Sequence, residues 1–198
     1  SNRVVIIASS TRDGEEEKVL TAFKRVLESH PNTVLLLVPR HPERFDAVAT
    51  LVGRMGLRLG RRSKNDLLTE EMQVYLGDSM GEMMSYYRLA SIAFVGGSLV
   101  NTGCQNVLEP AAFGIPVVTG PSQFNFATIC RQLEAESALR TVANEKELAD
   151  FLIDLIPDWA RQAEMGRRGK ALVEDNQDSL PALLSLLEPL LAAPSSDA

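Results

Sequence analysis

Cysteine and histidine are scarce: the 198 residues hold two of each, Cys104, Cys130, His30 and His41. Neither cysteine stands in a C-x-x-C or other metal-ligand spacing, which argues against a zinc site. Two histidines cannot build a histidine-rich metal centre, so no metal and no cofactor is expected. Two thiols in a chain of this size fit a reducing compartment. Long apolar runs are lacking too. The most apolar strand-like run, residues 34–38, is far below the ~18 residues that cross a bilayer. Positive charge is in deficit, with 20 Lys and Arg against 26 Asp and Glu, a net charge of -6 and a pI near 5.0. A nucleic-acid binder needs a basic face, so nucleic acid is not an expected partner. The N-terminus has no basic region followed by an apolar stretch, so no signal peptide is expected, and Ser1-Asn2 reads as a cloning remnant or a cut point. No P-loop, G-x-G-x-x-G or Ser–His–Asp set is legible, which leaves ATPase chemistry and covalent hydrolysis without support.

What is present is an alternation of short apolar runs and amphipathic segments. Hydrophobic residues make up 45% and charged residues 23% of the chain, ordinary values for a soluble domain. Residues 3–9 (RVVIIAS) read as a buried parallel strand. Residues 15–29 read as a helix, with Val19, Leu20, Phe23, Val26 and Leu27 on one face and three glutamates in its first turn. The pattern predicts further strands at 33–38, 57–59, 74–76, 92–95, 116–119 and 139–142. It predicts helices at 45–55, 80–89, 106–113, 126–134, 145–155, 157–174 and 180–191, with 61–66 an irregular loop and Met83, Met84 and Tyr87 turned inward. The expectation is one α/β domain over 3–191, a Rossmann-like parallel sheet with helices on both faces, and a disordered tail at 192–198.

In such a sheet, ligands bind beyond the carboxyl ends of the strands. Ser10, Thr11 and Gly14, Pro39 and Arg40, Gly77 to Glu82, and Gly96 to Ser98 all fall there, as does the segment leading to Glu109. The stretch 94–110 (FVGGSLVNTGCQNVLEP) offers small residues, open amides and a helix start near Asn106, a place suited to a phosphate. Glu109, a turn further on, is placed to accept from both hydroxyls of a ribose. On spacing alone this stands level with Asn106 as a plain N-cap and Glu109 as its capping-box partner, although Pro110 sits awkwardly with the second reading because it lacks a donor.

Other candidates are weighed in the same way. Arg40, boxed by Pro39 and Pro42, has the chemistry to pair with a phosphate or stack on a base, but by itself a surface pair with Glu43 is favoured. His41 is read as a turn residue satisfied by backbone. Asp78 or Ser79 caps the next helix, and Gly81 tips the segment Met80-Gly81-Glu82 toward close approach of a ligand. Arg54, Arg58, Arg61, Arg62 and Lys64 are read as a solvated loop rather than a face for a membrane or an anionic substrate. Met80, Met83 and Met84 are read as core.

At these residues the chain resembles the transferases that move 3-deoxy-D-manno-octulosonic acid (Kdo). The resemblance rests on VPRHPERF (38–45), GDSMGEM (77–83), AFVGGSLV (93–100), NVLEPAAFGIPVVTGP (106–121) and FNF (124–126), in order and in spacing. SSTRDGEEE (9–17) joins them, where the family usually reads STHEGEE. It implies the C-terminal half of a GT-B glycosyltransferase, with CMP contacts at Pro39, Arg40, Met80, Gly81, Glu82, Asn106, Val107, Leu108 and Glu109. It further implies metal-independent, inverting transfer of Kdo from CMP-Kdo to the lipid A precursor lipid IVA in lipopolysaccharide core synthesis. The catalytic base, the acceptor site and the membrane contact belong to an N-terminal domain absent here, at the cytoplasmic face of the bacterial inner membrane. The chain on its own is then expected to be inactive. Two departures stand out: Gln105 replaces the histidine of the usual GGHN, and Arg12 replaces that of STHEGEE. A GT-B domain for a UDP-sugar and a non-catalytic Rossmann-like nucleotide-binding module remain as alternatives. The leucine-rich segment 180–191 would help form an exposed docking surface in a half-enzyme and be buried in a free-standing module.

Overall fold

The computed structural model describes residues 3–191, with side chains to residue 175. Seven strands form one sheet: β1 (Val4–Thr11), β2 (Thr33–Pro39), β3 (Leu59–Arg61), β4 (Val74–Leu76), β5 (Ile92–Val95), β6 (Val117–Thr119) and β7 (Leu139–Thr141). Their spatial order is β3-β4-β2-β1-β5-β6-β7, and every pairing is parallel. Parallel strands need crossovers, which α1 (Glu15–Ser29), α2 (Phe45–Arg54), α3 (Met83–Leu89), α4 (Leu108–Ala112) and α5 (Ala127–Ala135) help supply, while α6 (Glu145–Leu155) follows the last strand. The last helix, α7, runs Trp159–Leu191.

Period-two alternation explains why the central strands are apolar throughout. Ile6, Ala8, Leu35, Leu37, Ile92 and Phe94 point into the core under α1, α2 and α6. Ile7, Leu36, Val38 and Ala93 point to the opposite face and pack with Tyr86 and Tyr87 of α3. A third cluster, around Val107, Ala111, Val117, Cys130 and Leu133, fills the space beneath α4, α5 and α7.

Several boundaries differ from the sequence reading. The third strand sits at Leu59–Arg61 because Leu57 is spent on the core beside Val52 rather than on the sheet. The helix read at 106–113 shrinks to Leu108–Ala112. Pro110 is its third residue, in the first turn, where an amide would have no intrahelical acceptor, so its missing donor costs nothing and counts against neither reading. The two helices read at 157–174 and 180–191 are one. The Asp-Asn-Gln-Asp-Ser stretch at 175–179 looks like a break, yet such residues cost under about 0.7 kcal/mol each inside a helix relative to alanine. The side chains of the predicted docking surface at 180–191, and the tail at 192–198, lie outside the described residues.

β1 and β5 are adjacent although β1 leads to β2 on its other side, so the connectivity reverses between them. Open sheets of this kind bind ligands at that crevice. Here the two strand ends are pressed together. Ser10 turns at φ 54 where the β1 register shifts, and a β-carbon on Gly96 would meet the carbonyl oxygen of Ser10 at 2.6 Å.

Candidate functional site

A cleft of about 310 Å³ opens at this edge. Ser10 forms its floor with Val38, Pro39 and Arg40 at the end of β2. One wall is Ser79 to Met83 with Tyr86 and Tyr87, and the other is Gln105, Asn106 and Glu109. Seven of the nine residues named from sequence therefore line one hollow: Pro39, Arg40, Met80, Gly81, Glu82, Asn106 and Glu109. The other two do not. Val107 is fully buried in the third core cluster, and Leu108 lies on a neighbouring apolar groove beside Met84, Ala112, Phe113 and Val173. Tyr86 and Tyr87 were missed as cleft residues, since an aromatic pair on an apolar helix face carries only a core signal. Burial pushes both phenols above the ordinary tyrosine range.

The segment between β4 and α3 is held from outside the cleft. The Asp78 side chain is wholly buried and accepts from Arg61 Nε at 2.6 Å, from the Ser63 amide at 2.8 Å and from Ser63 Oγ at 2.5 Å. Burial alone would raise its pKa, but these donors outweigh it and hold the carboxyl below the ordinary value. One Glu82 oxygen accepts from Arg62 at 3.0 Å and 3.2 Å, while the other is bonded to Ser79 Oγ and, at 3.3 Å, to Tyr86 Oη. Ser79 and Arg62 hold this carboxyl low as well. Arg61 and Arg62 thus leave the solvated loop assigned to them, because two carboxylates at the next strand end need counter-charge. Arg54, Arg58 and Lys64 belong to the exposed part. Asp78 is a brace, not a helix cap.

Gly81 has a backbone reason of its own. Its φ is +79, and nothing lies within 4 Å of where a β-carbon would stand, so the left-handed conformation already accounts for glycine there. The amides of Met80, Gly81 and Glu82 have no acceptor among the described residues. Met80 and Met84 are 63% and 48% exposed, against the expectation that they pack in the core; only Met83 joins a core cluster. The helix starts at Met83, later than the 80 read from sequence, which leaves Met80 on an open turn.

On the facing wall, Asn106 Oδ1 accepts the Leu108 amide at 3.0 Å, and its Nδ2 donates to Glu109 Oε1 at 3.1 Å. The helix N-cap is Val107 and no capping box forms; Asn106 instead closes the turn before α4 and aims the Glu109 carboxylate, whose second oxygen has no protein donor among the described residues. The Asn106 and Val107 amides likewise have no acceptor among the described residues.

The amides after β5 behave otherwise than the sequence implied. Gly97, Ser98 and Leu99 donate to the Glu15 carboxylate at 2.7, 3.0 and 2.9 Å, and Arg12 adds a fourth amide at 3.1 Å. This nest already holds an anion, and that anion belongs to the protein. Glu15 is fully buried. Desolvation pushes its pKa up, and the four amides offset this in part. Glu16, also buried, takes Arg44 at 3.0 Å, and Arg44 reaches Asp13 at 2.6 Å. Glu15 and Glu16 are structural anchors rather than helix-dipole decoration.

Arg40 is exposed, and its guanidinium makes no ion pair with Glu43 or any other described residue. Glu43 lies 3.9 Å from His41 Nδ1 instead, and His41 Nε2 accepts from Arg12 at 2.5 Å. Among the described residues, no group of three His, Cys, Asp or Glu is placed to hold a metal ion. Cys104 and Cys130, 26 residues apart, are buried with their sulfurs 3.9 Å from each other as free thiols, a neighbourhood the spacing did not reveal.

Sheet order, reversal point and cleft position define a Rossmann-like domain of the kind that forms the C-terminal half of GT-B glycosyltransferases. The chain belongs to the glycosyl transferases group 1 family, whose model matches residues 4–172. It is 44% identical to the 3-deoxy-D-manno-octulosonic acid transferase of Haemophilus influenzae, over 96% of this chain and 45% of that protein. To the transferase of the same description from Bordetella pertussis it is 35% identical, over 95% of this chain and 45% of that protein. The chain thus spans under half the length of these relatives. Among solved structures, the C-terminal CMP-Kdo binding domain of WaaA from Acinetobacter baumannii superposes with a TM-score of 0.81 at 37% identity, covering 87% of this chain and 90% of that one.

Proposed function

We propose that this chain is the donor-binding half of an inverting glycosyltransferase that moves Kdo from CMP-Kdo to the lipid A precursor. One observation carries the proposal. Three segments widely separated in sequence, ending at Arg40, Glu82 and Glu109, converge on one cleft in a fold shared with a CMP-Kdo binding domain. In this reading Glu109 grips the ribose hydroxyls, the turn Met80–Gly81–Glu82 meets the cytosine, and Arg40 with the amides near Asn106 receives the phosphate. Those groups also stabilise CMP as it leaves as an anion, so positive charge at the leaving group is supplied without a metal ion. The acceptor hydroxyl attacks the anomeric carbon of Kdo in a single displacement, giving up its proton to a carboxylate base. That base, the lipid acceptor site and the membrane contact at the cytoplasmic face of the inner membrane come from the half of the relatives' length that this chain does not span. Among the described residues no helix is long and apolar enough to cross a membrane. The chain alone binds donor nucleotide and does not turn over. Calorimetric titration with CMP tests this. Glu109→Ala is expected to weaken binding about tenfold, the loss of a charge-assisted hydrogen bond, and equal affinity in the variant refutes the ribose role. Competition by UMP separates this reading from a UDP-sugar enzyme.

A further inference from the structure

The turn Arg61–Lys64 lies outside the cleft, yet it grips both ends of the segment that forms one cleft wall. Arg61 and Ser63 hold Asp78 at its start, and Arg62 holds Glu82 at its end. Arg61 is itself tied to Asp46 of α2 at 2.7 Å, and Arg62 to Asn65 at 2.9 Å, which sets the two guanidinium planes. Between the clamped carboxylates stand Met80 and Gly81, exposed, with a left-handed glycine and amides that find no acceptor among the described residues. Its one internal side-chain tie is the Ser79 hydroxyl on Glu82, and the amides of Met80 and Gly81 make no bond among the described residues. The outer arginines anchor the turn to the neighbouring loop.

We propose that Arg62, acting through Glu82, is a positioning residue that sets the shape of the Met80–Glu82 turn for the base of the bound nucleotide, with Arg61 and Asp78 fixing the turn's other end. This rests on the reading that the cleft takes a nucleotide. The Arg62–Glu82 pair is well suited to positioning because it is a poor source of stability. Both side chains are about one-third exposed, at 39% and 31%, and pairs of that exposure hold folds together only weakly. Its loss should therefore leave the fold and change the turn.

The test measures binding of CMP and of ribose 5-phosphate, which carries the sugar and the phosphate but no base, by NMR titration of the chain. Arg62→Gln is expected to raise the Kd for CMP about fivefold to tenfold, leave that for ribose 5-phosphate unchanged, and move Tm by less than about 3 °C. Arg62→Lys, which keeps one charged donor, should recover most of the CMP affinity. Unchanged CMP binding in Arg62→Gln overturns the proposal, and so does an equal loss for both ligands, which would mark a general collapse of the cleft. Should Arg62→Gln unfold, Arg62→Met, which keeps the apolar stem and removes the donors to Glu82, gives the same comparison with the cleft residues untouched. Failure of the wild-type chain to bind CMP at all is a different result, and it removes the nucleotide reading itself.

Discussion

The carboxylate of Glu15 accepts the amide of Gly97 at 2.7 Å, and with Ser98 and Leu99 it ties the start of α1 to the turn after β5. That turn leads to the cleft wall, since Gln105 in turn donates its amide to the carbonyl of Gly96 at 2.9 Å. Glu15→Ala would leave three buried amides without an acceptor. Each such group costs about 1–3 kcal/mol, so a loss of at least roughly 3 kcal/mol is expected. For a chain of this size that lowers Tm by about 6–12 °C. Thermal unfolding followed by circular dichroism reads it directly, and a shift of a degree or two would show that water takes over the nest at no great cost.

Arg40 separates two uses of one guanidinium. It is exposed and unpaired among the described residues, so removing it should not disturb the fold. Pairing with the phosphate predicts that Arg40→Ala weakens CMP about tenfold while cytidine binds as before. Stacking on the base predicts that both ligands weaken together. Titrations with the two ligands at fixed ionic strength decide it.

Much of this arrangement is legible in the sequence, and the part that is not has a common cause. Glu15–Ser29 and Glu145–Leu155 were read to the residue, because an apolar stripe of period 3.6 and acids in the first turn are local signals. That Arg40, Gly81 and Asn106 stand at strand ends, where they line one cleft, is legible because turn chemistry is local as well. The partner of Glu15 is 82 residues away, and that of Arg61 is 17. No window along the chain shows which cation or amide a carboxylate will meet, so Glu15 read as a dipole acid and Arg61 as solvent-facing. Met80 differs for the opposite reason: an apolar side chain is a prior for burial, and an open turn at the cleft mouth overrides it.

The thiols make a similar point about distance in sequence. Cys104 and Cys130 are both fully buried, with their sulfurs 3.9 Å apart. Neither should react with a bulky disulfide reagent while the protein is folded, and two equivalents should react after denaturation in guanidinium. Fast reaction of either thiol in the native state would mean that α5 opens readily from the turn that carries Cys104.

The crossing of α7 over α4 depends on an absent side chain. A β-carbon at Gly166 would overlap the carbonyl oxygen of Gly114 and come within 2.5 Å of its carbonyl carbon. Backbone cannot step aside as a flexible side chain can, so Gly166→Ala should cost about 1–3 kcal/mol. Gly53, near the end of α2 with open space around it, is the control. There, alanine should add roughly 0.5–1 kcal/mol through helix propensity. Urea unfolding of the two variants should move the midpoint in opposite directions.

Strong acid should cost the fold stability through the carboxylate that braces the cleft wall. Asp78 has its folded pKa held below the ordinary 3.8 by Ser63 and Arg61, against the pull of burial. Unfolding at low pH therefore takes up a proton that the folded protein lacks. The stability Asp78 contributes is complete above about pH 5 and is lost as pH falls through 3.8 toward the folded value. Glu15 acts in the other sense. Its folded pKa is raised above 4.5, so what it contributes is greatest below that value and declines as pH rises through the raised one. Urea unfolding between pH 7 and pH 3 should thus show a steep loss below pH 4 in the wild type. Asp78→Asn, less stable at pH 7, should lose much less over the same interval. Parallel pH curves for the two proteins would mean that Arg61 and Ser63 do not hold the Asp78 proton off.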